Sequence, residues 1–171
     1  MLTELENYQL RIEDLRGQIR NLIAGLPVEA LNWRPTEQID DHATNSLAVL
    51  ATHTAGAEHF WLGEVVGGLP PTRNRDAEFV TEVDSAAPLL QLLESVGQET
   101  RQIFANLTQA DLNQTRPARD KEVAVRWAIL HVIDHTALHL GHMQITYQLW
   151  MDGKGTQAPR WFQRLPNEPQ D

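Results

Sequence analysis

Residues 122–151 read EVAVRWAILHVIDHTALHLGHMQITYQLWM, an unbroken helical pattern that stops at Asp152-Gly153. His131, His135, His139 and His142 all fall within it. At 100° per residue these four side chains spread over an arc of only about 80°. Ala128, Val132, Leu138, Met143, Leu149 and Trp150 are expected on the same side, making it an apolar face that holds several imidazoles. The opposite side is also apolar, at Leu130, Ile133, Ala137 and Leu140. A helix apolar nearly all round is central to its fold or lies at a subunit contact, so the pattern predicts a helical bundle and a homodimer. Imidazoles aimed at a core need polar partners there, and a metal ion satisfies several at once.

Three further helical patterns precede this one, and no strand alternation stands out. The first runs from about Thr3 to Ala24, with an apolar face of Leu5, Leu10, Ile12, Leu15, Ile19, Leu22 and Ile23. Gly25 and Pro27 stop it. A polar connection follows, in which Leu31 and Trp33 are expected to plug one end of the core. The second helix runs from about Asn45, with Asn45 or Thr44 as its cap, to Val66 before Gly67-Gly68 and Pro70-Pro71. The third starts near Ser85, carries Pro88 in its first turn and ends near Asn106. Four amphipathic helices predict an all-α four-helix bundle over residues 1–153, with long connections that allow crossovers. The tail, 154–171, contains Trp161 and Phe162 and is expected to pack back on the bundle.

The chain has 171 residues, enough for one domain with an ordinary core. Its 14 Lys+Arg against 23 Asp+Glu give a net charge of -9, which repels phosphate backbones and argues against nucleic acid as a partner. There is no basic run suited to an anionic membrane and no apolar stretch long enough to span one. The charged N-terminal segment does not read as a secretory signal, so the expected setting is cytoplasmic. With no cysteine in the chain, disulfides, thiolate metal sites and a cysteine nucleophile are excluded together. Thiol chemistry here requires an external small thiol.

A metal site needs three or four donors converging on one point. His135 and His139, spaced i and i+4, place two imidazoles one turn apart on one helix. The third donor should come from another helix. His53 shares its azimuth with Val49, Leu50, Ala57 and Phe60, and the small Ala57 leaves room beside it. The other reading of His53 is a core histidine bonded to a backbone carbonyl. His59 lies about 120° away on the wheel and is set aside. His131 and His142 lie within a turn of the pair and fit a fourth ligand, a supporting partner or a proton carrier. His131-Val-Ile-Asp-His135 resembles the inverted zincin pattern with Asp134 in place of glutamate, but Asp134 points to the flank. No histidine has Glu three residues before it, which excludes the di-iron pattern.

LAVLATHTAGAEHFWLGE and, much later, AILHVIDHTALHLGHMQ together resemble the DinB/YfiT-like family of metalloenzymes. The family's second-helix histidine falls on His53, and its fourth-helix pair on His135 and His139. His142 stands where many members have Gln, and Leu140 where many have Arg. Trp33-Arg34-Pro35 also resembles a family feature before the second helix. The resemblance implies an up-down-down-up bundle, often dimeric, holding a divalent ion, usually zinc or nickel. Relatives are similar to thiol-dependent S-transferases and a mycothiol-dependent isomerase, and others are regarded as hydrolases.

Three neutral imidazoles leave an ion with at least one open position. That position can take water and lower its pKa toward roughly 7, or take a small thiol. The sequence therefore leads to a small-molecule enzyme that is thiol-dependent or hydrolytic, with His131, His142, Asp134 and Glu64 as auxiliary groups. A non-catalytic helical module with a closed, structural metal is the competing reading.

Overall fold

The computed structural model describes residues 3–36 and 44–153. Among the described residues lie six α-helices and one hairpin: α1 (Glu4–Ile23), α2 (Val28–Asn32), α3 (Leu47–Glu58), α4 (Arg75–Glu78), α5 (Ala87–Asn106), β1 (Thr115–Ala118), β2 (Lys121–Ala124) and α6 (Val125–Trp150). The helix begun by α3 continues without a break into a π-helical segment, His59–Val66. Four long rods result: α1, α3 with its π extension, α5 and α6.

Local chemistry sets their ends. Thr3 caps α1 in a reciprocal box, its hydroxyl accepting from the Glu6 N–H while the Glu6 carboxylate accepts from the Thr3 N–H. Ser46, just beyond the expected Asn45 or Thr44, caps α3 by accepting from the Val49 N–H at 3.2 Å. Pro88 sits in the first turn of α5, where its missing N–H costs nothing.

The rods pack in a ring. Each of α1 and α3 touches both α5 and α6. Side-chain pairs give the directions. Glu13 meets Arg101 and Arg20 meets Glu94, so α1 and α5 are antiparallel. Glu4 meets Arg126, so α1 and α6 run together. Trp61 packs on Trp127 and His53 on His139, so α3 opposes α6. The order is up-down-down-up, as the resemblance implies. The parallel α3 and α5 need a crossover, residues 67–86, and α4 lies in it.

The core has two apolar storeys. One gathers Leu15, Ile19, Leu47, Leu93, Leu140 and Met143; the other gathers Ile12, Leu62, Phe104, Leu112, Ile129 and Val132. Along each rod the switch from one storey to the other is marked by a buried polar residue: Arg16, Glu58, Thr100 and Thr136. Arg16 donates to Glu58 at 3.2 Å and Thr100 donates to the same oxygen at 2.5 Å. Burial raises the Glu58 carboxyl above the usual range, against the opposing pull of Arg16 and Thr100. A Cβ on Gly97 would lie 2.8 Å from the Arg16 guanidinium carbon, so only glycine lets that group lie against α5.

Three expectations change. First, residues 115–124 form an antiparallel hairpin, pairing Thr115 with Ala124 and Ala118 with Lys121, where the sequence reading has loop and the start of a helix. Second, the inward direction of α6 is rotated. Leu138 and Leu149 are exposed, while Leu140 is buried and Ile133 and Ala137 pack against the core. The histidine arc therefore lies on the flank of the buried face, facing α3, because α6 must touch both α1 and α3. Third, at the level of single residues, Asn45 and Thr44 yield the cap to Ser46, and Leu10, expected on the apolar face of α1, is exposed. Leu31 is fully buried and Trp33 half-buried at the bundle end, as expected. The expected packing of the tail, 154–171, falls outside the described residues.

Candidate metal centre

α3 and α6 cross with His53 facing His135 and His139. The two Nε2 atoms of His53 and His135 stand 3.1 Å apart. Ring centroids are 4.9 Å apart for both His53–His135 and His53–His139, and 4.4 Å for His135–His139. One nitrogen from each ring falls within 4.8 Å of the others, a gathering that could hold a metal ion.

Each ring is held differently. His53 is buried, and its Nδ1 lies 2.8 Å from a Glu78 carboxylate oxygen. That bond fixes Nδ1 as the protonated nitrogen and leaves Nε2 as a lone pair aimed at α6. Glu78 is itself clamped by Arg73, whose Nε and Nη2 donate to its two oxygens at 2.7 and 2.9 Å. Burial alone would raise the Glu78 carboxyl, but the Arg73 and His53 hydrogen bonds outweigh it and hold the group below the usual range. Gly56 makes the approach possible: a Cβ there would lie 2.8 Å from the Glu78 carboxyl carbon.

His135 and His139 have no such anchor. Burial, aided by repulsion from the neighbouring histidines, pushes His135 down to about 3 and His139 to about 4, so both are neutral near pH 7. Their Nδ1 atoms are buried without a hydrogen-bond partner among the described residues. A buried polar atom left so costs about 1–3 kcal/mol. Three converging imidazoles, one with a carboxylate behind it, form a donor set able to hold a divalent ion. The residues present fit a bound ion.

The auxiliary candidates are placed as follows. His131 is half-buried, stacked on Trp127 at 4.9 Å and edge-on to Trp61 at 5.0 Å, with its ring 5.6 Å from that of His135. Burial lowers its pKa and the Asp134 charge raises it. His142 is exposed, its ring 5.3 Å from that of His139. Asp134 is exposed on the flank of α6, where its charge acts on His131. Glu64 points away, accepting from the Thr72 and Arg73 N–H groups and so bracing the crossover. His59 pairs with Glu99 and Thr72, outside the centre.

Two contributors escape the sequence reading. Glu78 and Arg73 come from the crossover, with α4 capped by Asn74 accepting from the Ala77 N–H. The Asn-Arg-Asp-Ala-Glu run carries a cap signal, but nothing local ties it to a histidine 25 residues earlier. Beside the centre opens a cleft of about 350 Å³, walled by Ala57, Phe60, Trp61 and His131 and reaching His53 and His135.

A family model described as the DinB superfamily matches residues 11–143. A crystal structure of a conserved protein from Enterococcus faecalis shares the fold, with a TM-score of 0.70 and 14% sequence identity over 89% of this chain and 99% of that one. At that identity the likeness concerns the fold alone. No curated protein matches the chain.

Proposed function

The chain belongs to the DinB superfamily, and from that premise we propose that it is a divalent-metal-dependent enzyme acting on an external small thiol, in the manner of an S-transferase. The observation that carries this is the convergence of His53, His135 and His139, with His53 held by Glu78 and the set opening on a cleft. Zinc or nickel held there would act as a Lewis acid, lowering the pKa of a thiol or water brought to it. The protein's own groups do the rest. Glu78 and Arg73 keep the His53 tautomer and aim. Ala57, Phe60 and Trp61 wall the cleft with apolar surface that favours a soft, apolar reactant over bulk water. His131, which lines the cleft beside His135, is a group placed to take a proton. His142 serves the same role from the exposed side, and Asp134 tunes His131 by its charge.

Metal analysis of the purified chain and of the variant H53A/H135A/H139A tests the centre. One equivalent is expected in the wild type and none in the variant. A full equivalent retained by the variant overturns the assignment. Thermal shifts then separate the reactions: a small thiol that stabilises only the metal-loaded protein supports S-transfer. Ester or amide hydrolysis without any thiol supports a hydrolase. An ion that binds no added ligand, closed by His142 as a fourth donor, supports a structural metal in a non-catalytic module.

A further inference from the structure

We infer that the substrate of this centre is a small organic anion, bearing a carboxylate or phosphate held by Arg119 and Lys121 at the tip of the hairpin. The inference rests on the metal-centre reading above and names the substrate class for that site.

The cleft beside the histidines contains Arg73, Arg75, Arg119 and Lys121, against a single carboxylate, Asp120. In a chain of net charge -9 this is a local reversal of sign. A cleft lined by one sign of charge between low-dielectric walls concentrates ligands of the other sign. Arg73 is committed to Glu78 and is a neutralised part of the wall. Arg75 lies over the Phe79 ring at 4.9 Å. Arg119 and Lys121 are exposed and line the same cleft. Arg119 lies over the Phe60 ring at 5.3 Å, and Phe60 faces the cleft.

The backbone gives an independent reason to read Arg119 as selected for its charge. Ala118 pairs with Lys121, so Arg119 and Asp120 form a two-residue turn. Arg119 has φ 57, the left-handed conformation that such turns reserve for glycine, asparagine or aspartate. An arginine there is locally unfavourable, yet it places a planar guanidinium over the mouth of the metal cleft. Guanidinium groups bind carboxylate and phosphate through two parallel hydrogen bonds, and a lysine beside one adds charge. A ligand anchored at the hairpin tip would turn its other end to His53 and His135.

The test is calorimetric titration of the zinc-loaded full chain at low ionic strength with 3-mercaptopropionate, 2-mercaptoethanol, succinate and inorganic phosphate. The charged thiol should bind about tenfold or more tighter than the neutral one. That advantage should vanish in R119G/K121Q, with 2-mercaptoethanol binding unchanged. Glycine suits the turn, so the variant is expected to fold at least as well as the wild type, and its melting temperature checks this. Succinate and phosphate distinguish the two anion types. If neither thiol binds but succinate or phosphate does, and the variant loses it, the anion site stands and the thiol reading fails. Equal binding of the two thiols, or an anion preference that survives in R119G/K121Q, overturns the inference and leaves the metal centre untouched.

Discussion

Gly56→Ala perturbs the centre without altering any histidine. The added Cβ would stand 2.8 Å from the Glu78 carboxyl carbon and 3.3 Å from Arg73 Nε. Glu78 must therefore retreat, stretching its 2.8 Å bond to His53. Weakening a hydrogen bond to a charged group costs about 1.5–3 kcal/mol. Replacing glycine by alanine inside a helix returns about 1 kcal/mol. The metal-free protein should therefore lose roughly 0.5–2 kcal/mol, the difference between these two effects. Metal affinity should fall about 10- to 100-fold, the usual effect of losing the group behind a histidine ligand. Urea denaturation reads the first quantity, and zinc titration against a competing chelator reads the second. Both should be repeated in a Glu78→Ala background. There the Cβ meets no carboxylate, so Gly56→Ala should stabilise by about 1 kcal/mol and leave zinc affinity alone. Equal effects of Gly56→Ala in both backgrounds would refute the idea that the glycine serves Glu78.

Three other outcomes are expected. His135 and His139 have folded pKa values of about 3 and about 4, below the ordinary 6.5. The unfolded chain therefore takes up their protons first, and metal-free stability should fall as pH drops below about 6.5. Between pH 6.5 and 4.5, above the ordinary carboxylate range, H135N/H139N should show a flatter stability profile by chemical denaturation; an unchanged slope would disprove this. Glu58→Ala strands the buried Arg16 beside its remaining partner Glu13, and should cost about 3–5 kcal/mol in urea, with Arg16→Met/Glu58→Leu recovering most of it. Trp127, Leu138, Ile145 and Leu149 form an exposed apolar stripe on α6. If a homodimer uses it, L138E/I145E should elute as a monomer in size-exclusion chromatography; an unchanged elution volume would exclude that face.

The sequence displays what is periodic and hides what is distant. The α6 pair is legible because i and i+4 spacing is a local property, and His53 because a helical wheel places it beside apolar neighbours. The inward direction of α6 is not legible, since a helix apolar on both sides offers the wheel no preferred face. Contact with both α1 and α3 decides it, turning Leu140 in and Leu138 out. The hairpin is hidden because its strands are four residues each, one contains Pro117, and its turn has Arg119-Asp120 in place of a glycine. Glu78 is hidden because a crossover that looks like punctuation brings it to His53. The three converging histidines and the small Ala57 beside them are thus readable, and Glu78 and Arg73, which hold His53, are not.

The polar level formed by Arg16, Glu58 and Thr100 has a consequence for slippage along the bundle axis. Apolar storeys tolerate a sliding helix, because one leucine replaces another. A buried ion pair does not, because a slide strands a charge in hydrocarbon. One helical turn is about 5.4 Å, more than the 4.8 Å within which the three histidine nitrogens gather. A single ratchet of α3 would therefore carry His53 out of reach of α6. The cross-braced pair thus acts as a detent, holding α3 at the one axial setting where the three histidines meet.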